Sequence, residues 1–104
     1  MADPMRIRAQ LKDGGVTEVR VLMAHIMETG QRKDGSGKIV PAHHIQNVTA
    51  TWNGKTVLTA QFGPAVSQNH VMNFSFKGGA KGDKVSVSWS DNKGDKRTDE
   101  ATIS

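Results

Sequence analysis

The chain of 104 residues has no cysteine and no tyrosine. No apolar run in it is long enough for a membrane span or for the core of a secretory signal. The missing cysteine excludes disulfides, thiolate metal sites and thiol nucleophiles. Aromatic residues are few: Trp52, Trp89, Phe62, Phe74 and Phe76. Single-strand nucleic-acid binders need exposed rings on which bases stack, and the alternation described next turns all of these inward. Acidic charge is the minority, with 10 Asp and Glu against 14 Lys and Arg and a net charge of +4. That excess favours anionic partners without pointing to nucleic acid on its own. No segment has a helical period, and there is no internal repeat or low-complexity tract.

What is there is alternation. From Met5 to Lys12, Met5, Ile7, Ala9 and Leu11 share one face while Arg6, Arg8, Gln10 and Lys12 share the other, the period-two mark of a half-buried strand. Asp13-Gly14-Gly15 then turns the chain. Thr17 to His25 alternates again, with Val19, Val21 and Met23 inward, Thr17 and His25 on the same parity, and Leu22 outward. His44 to Trp52 places Val48, Ala50 and Trp52 inward. Ile45 has the wrong parity there, so either a bulge shifts the register or Ile45 faces out. Asn53-Gly54 is a hairpin signal, since a type I′ turn needs positive φ at both central residues. Lys55 to Phe62 returns, and Gly63 to Asn69 reads as a connecting loop. His70 to Lys77, Asp83 to Ser90 and Thr98 to Ile103 complete the set, with glycine-rich turns between them.

Seven such strands predict an all-β fold, an immunoglobulin-like β-sandwich of about seven strands, formed as a single domain over residues 1–104. A five-stranded closed barrel is the alternative, and with Arg6, Arg8 and Arg20 it carries the competing reading of a nucleic-acid-binding module.

Most motif matches dissolve on inspection. Gly54-Lys55-Thr56 lacks the upstream glycine of a phosphate loop and precedes a strand instead of a helix. His43 and His44 are adjacent, so on a strand they point to opposite faces. His25 and His70 could approach one of them, but the spacing has no metal signature. No elbow motif presents a Ser or Thr nucleophile beside a His. Asp13, Asp34, Asp83, Asp91 and Asp95 fall in turns, as turn formers do. Asn47-Val48-Thr49 and Asn73-Phe74-Ser75 match the glycosylation pattern only inside strands. These readings lead to no catalytic, cofactor-binding or metal residue.

One stretch breaks the alternation. His25 to Pro41 is long for a loop in so small a domain and carries Arg32, Lys33 and Lys38. A solvated loop face is the ordinary reading of such a charge run. Here the stretch His25-Ile-Met-Glu-Thr-Gly-Gln-Arg-Lys-Asp-Gly-Ser-Gly-Lys-Ile-Val-Pro-Ala-His closely resembles the SoxZ family. Asn53-Gly54-Lys55, the run from Gln61 to Asn69, and the run from Trp89 to Gly94 add to the resemblance in the family's order and spacing. The chain departs from the family's pattern at Ile26 and His70, where the family has proline; each change restores a backbone N–H donor.

The resemblance implies the small, non-catalytic subunit of the SoxYZ sulfur carrier of thiosulfate oxidation. The partner SoxY would hold sulfur intermediates on a cysteine near its C-terminus. The haem protein SoxAX, the hydrolase SoxB and the sulfane dehydrogenase SoxCD would be transient partners. No nucleic acid, membrane or cofactor is implied. Export to the periplasm would be as a passenger of SoxY. Met27, Glu28, Thr29, Gly30, Arg32, Lys33 and Ile45 become the candidate partner contacts, and Leu22, Val57 and Val71 further outward apolar residues.

Overall fold

The alternation is realised as seven strands in a computed structural model, which describes residues 4–25, 27–62 and 70–104. They are β1 (Arg6–Lys12), β2 (Val16–Leu22), β3 (Ile45–Trp52), β4 (Lys55–Gln61), β5 (Val71–Lys77), β6 (Lys84–Asp91) and β7 (Lys96–Thr102). No helix occurs among the described residues. Two sheets form, of order β1-β2-β5 and β4-β3-β6-β7, with every pair antiparallel. This is the immunoglobulin-like sandwich, with both sheets contributing their inward residues to one core. The sequence-predicted loop at Gly63–Asn69 lies outside the described residues.

The inward parity is the core. Ala9 from β1, Val19 and Val21 from β2, Val48 and Ala50 from β3, and Val85, Val87 and Trp89 from β6 are all buried. Each buried valine contributes on the order of 1.5–3 kcal/mol over an exposed one. The Asn53-Gly54 hairpin takes the expected positive φ values of 48° and 82°. The pairing of β3 with β4 shifts after Ala50, which leaves Val57 between paired Thr56 and Leu58.

Ile45 requires a correction. It does not face outward: only 1% of it is exposed. The pairing of β3 with β6 shifts between Ile45 and Asn47, and this bulge rotates Ile45 into the core. The bulge alternative holds, and Ile45 is a core residue with no surface to offer a partner.

The two flanks of the sandwich differ. Beside β1, Leu11 N–H donates to Ser104 O and Ser104 N–H donates to Ala9 O, both at 3.0 Å, so the chain end after β7 is stitched to the first strand. The edge formed by β4 and β5 has no comparable pairing among the described residues. There the inward side chains Leu58, Phe62, Met72, Phe74 and Phe76 stay only partly buried.

Gly79 shows how tightly the β5–β6 connection is packed. Its φ is +95°, and a Cβ at this position would run into the Thr17 hydroxyl and lie 3.1 Å from Ile103 Cδ1. That hydroxyl is held, since Thr17 is buried and donates to Gly78 O at 2.7 Å. Gly79→Ala therefore adds left-handed backbone strain of about 1–2 kcal/mol to an overpacking cost of about 1–3 kcal/mol. Urea unfolding of Gly79→Ala is expected to show a loss of about 3 kcal/mol at unchanged m-value, whereas Gly82→Ala, whose Cβ meets nothing within 4 Å, should lose only the backbone part.

Candidate functional site

The stretch between β2 and β3 is not a structureless loop. Strand pairing ends at Leu22, three residues earlier than the alternation suggests, yet Met23 and His25 keep the inward parity and stay buried. Glu28 and His43 then form a reciprocal bridge: Glu28 N–H donates to His43 O at 2.7 Å, and His43 N–H to Glu28 O at 2.9 Å. Lys33 and Ile39 make a second bridge further out. The turn beyond it is built on Asp34, whose Oδ1 accepts from the Ser36 hydroxyl and from the N–H groups of Ser36 and Lys38. Those bonds hold its carboxyl below the ordinary carboxylate value. The result is a two-stranded arm whose residues 31–39 are all exposed.

The arm sorts the sequence-predicted contacts. Arg32, Lys33 and Thr29 are exposed. Arg32 grips Glu28 through Nε and Nη2, the shortest contact being 2.7 Å, and this guanidinium lowers the Glu28 carboxyl. Gly30 takes φ +86° with Ala42 packed 3.2 Å from where a Cβ would stand, so it serves the crossing of the arm's two strands. Met27 corrects the expectation. It is 6% exposed, and its thioether accepts the Ile45 N–H at 3.4 Å. Met27 and Ile45 are anchors inside the molecule, so the presented surface is Thr29, Arg32 and Lys33.

What clamps the arm is a cluster that sequence reasoning left unassembled. Asp91, at the end of β6, is buried between His25 and His43. Its Oδ2 lies 3.0 Å from His25 Nε2 and 2.7 Å from His43 Nε2. Its Oδ1 accepts the N–H groups of Lys93 and Asp95 at 3.0 and 2.9 Å. Burial pushes this carboxyl up, but the two imidazole bonds and the two backbone bonds outweigh it and hold it below its ordinary value of 3.8. Next to it, Asn92 donates to Ala42 O and accepts from His44 N–H, fastening the arm's return strand. His70 does not join the cluster; its ring stands edge-on to Phe62.

The three ligand atoms of His25, His43 and Asp91 lie within 4.8 Å of one another, as a metal site would require. The hydrogen bonds assign a different role. His25 Nδ1 accepts the Met27 N–H at 3.0 Å, so its proton sits on Nε2 and points at Asp91. A cation at Nε2 would force that proton onto Nδ1, against the Met27 donor. Among the described residues no hydroxyl is hydrogen-bonded to either imidazole. The arrangement is a structural knot with the Trp89 ring edge-on to His25 at 5.2 Å.

The fold and this knot define a β-sandwich that presents an arm. The chain matches the family described as sulphur oxidation protein SoxZ over residues 5–102, and it belongs to that family. It is therefore a protein of sulfur oxidation. No curated protein matches it. Among solved structures it is similar to a reduced-form variant of superoxide reductase (neelaredoxin) from Archaeoglobus fulgidus, with 22% identity, 99% of this chain and 90% of that one covered, and a TM-score of 0.61. A variant of the Ignicoccus hospitalis superoxide reductase gives 14% identity, 99% and 82% coverage, and a TM-score of 0.60. At that identity the likeness is one of fold.

Because the Asp91 carboxyl is lowered by folding, its contribution is complete above the ordinary value of 3.8 and is lost as pH falls through the lower folded value. Asp91→Asn should cost about 2–4 kcal/mol at neutral pH, since an amide cannot accept from four donors. It should also flatten the acid limb of a stability–pH curve below about pH 4. Chemical denaturation across that range checks both, and an unchanged acid limb in the variant contradicts the role given to Asp91.

Proposed function

We propose that this chain is the non-catalytic subunit of the SoxYZ sulfur carrier. In this reading SoxY holds sulfur intermediates on its cysteine arm, and this chain supports that partner while the complex visits SoxAX, SoxB and SoxCD in the periplasm. Membership of the SoxZ family over nearly the whole chain carries the reading. The chemistry agrees with it. The sequence has no cysteine, so the scaffold has no thiol to exchange with the arm's cargo. The buried cluster of His25, His43 and Asp91 is taken up in holding the arm.

Two surfaces suit a permanent partner. One is the presented part of the arm, Thr29, Arg32 and Lys33. The other is the open flank at β4 and β5, where Leu58, Phe62, Met72, Phe74 and Phe76 remain partly exposed. Permanent interfaces are more apolar than transient ones, and a partner covering this flank would complete the core. The nucleic-acid reading has less behind it, because Trp52, Trp89 and the three phenylalanines pack inward.

Co-expression with a SoxY chain tests the proposal. The expected product is a stable heterodimer, and a soluble monomer with no affinity for SoxY overturns it. Within a heterodimer, Arg32→Ala with Lys33→Ala is expected to weaken binding about tenfold, about the 1.4 kcal/mol of a modest contact pair. Isothermal titration measures it.

A further inference from the structure

The outer face of the β1-β2-β5 sheet carries charges that the fold does not use. Register sets Arg8 directly opposite Arg20, with Asn73 completing the row on β5. The neighbouring row is Arg6, Leu22 and Val71. Arg6, Arg8 and Arg20 are exposed, and among the described residues no ion pair engages any of them. Among the described residues the only carboxylate on this face is Glu18, and it pairs with Lys12 at 3.7 Å. A shallow depression of about 420 Å³ lies among Arg8, Gln10, Glu18, Arg20, Asn73 and Ser75.

Like charges directly opposite each other on a sheet destabilise it. A surface under no other demand would place Glu or Thr opposite Arg8. Here the repulsion is kept, and it stands beside a small apolar pair, Leu22 and Val71. Arginine around a limited apolar contact is the composition of a protein-binding face. Stacking rings for bases are absent from it. The face is also too polar for a permanent subunit interface, while the apolar flank lies elsewhere on the molecule.

We propose that this face, centred on Arg6, Arg8 and Arg20, docks transiently onto an acidic surface of the enzymes that process the carrier's cargo. The proposal rests on the reading of the chain as a carrier subunit. A carrier must meet several enzymes in turn and leave each one. Complementary charge raises encounter rates and is screened by salt, which suits short-lived complexes.

The test uses the complete SoxYZ heterodimer carrying Arg8→Glu with Arg20→Glu. Thiosulfate oxidation is measured with purified SoxAX, SoxB and SoxCD as a function of heterodimer concentration and ionic strength. The expected result is a KM for the heterodimer at least tenfold higher at low salt, a flattened salt dependence, and SoxY affinity equal to that of the wild type. Arg20→Glu alone should raise the melting temperature by about 1–4 °C, because it turns a like-charge pair into an opposite one. Unchanged KM and salt dependence overturn the proposal. Loss of SoxY binding in the variant overturns it too, by making the face a subunit interface. So does retardation of single-stranded DNA that the variant abolishes while KM stays put. If wild-type heterodimer supports no turnover, the carrier reading itself fails, and that outcome is separate from these.

Discussion

The carboxylate of Asp91 is the constraint on which the rest depends. It gathers four donors from three places: His25 where the chain leaves β2, His43 where it approaches β3, and the backbone of Lys93 and Asp95 in the turn after β6. β2 belongs to one sheet and β6 to the other. Constant-type antibody domains, also of seven strands, tie strands B and F, the second and sixth, across the sandwich with a disulfide. This chain has no cysteine, and it ties the ends of the same two strands, counted in order, with a hydrogen-bonded histidine and aspartate. The bond is weaker than a covalent link, but it reaches a third partner that a disulfide could not: His43, at the base of the arm.

That third bond gives the arm its direction. Residues 31–39 bury no side chain, so packing cannot hold them. An isolated two-stranded ribbon is marginal in water. The arm's orientation must therefore come from its base, where the Glu28–His43 bridge, the buried Met27 and the Asn92 bonds all lie within a few residues of the imidazole pair. Exposure outward and anchorage inward are the two halves of one arrangement. The proposed role as a scaffold subunit would need both, since contacts offered from a wandering loop lose binding energy to the ordering of that loop.

The strands were legible because a sandwich repeats one rule, apolar inward at every second residue, and little in the chain competes with it. Ile45 broke the rule by parity alone, and a bulge restored it, which shows that burial decides the register where pattern and pleat disagree. The arm was legible as an interruption but not as a ribbon, because its strands hold each other through backbone bonds that leave no apolar period. The knot was hidden by separation: His25, His43 and Asp91 are distant in sequence and share no ligand spacing. One signal for it did exist. His25 continues the inward series Thr17, Val19, Val21, Met23, and Asp91 continues Val85, Val87, Trp89. Two ionisable groups carried inward at strand ends must find partners, and each was the other's nearest candidate. Treating Asp91 as a turn former missed this, since it is both.

The likeness to superoxide reductases sharpens the point that chemistry belongs to sites and not to folds. The same sandwich can bring histidines together at one end of its sheets, and here it does. What decides their use is which nitrogen holds the proton. With Met27 N–H set against Nδ1 of His25, the Nε2 lone pair is spent on a proton, and that proton is spent on Asp91. Met27 can present its N–H there only by taking a left-handed backbone, φ 50°, which a non-glycine residue adopts at a cost. That strain is repaid by a buried side chain and by the thioether's bond to Ile45. The local geometry thus commits the imidazole to holding the base of the arm.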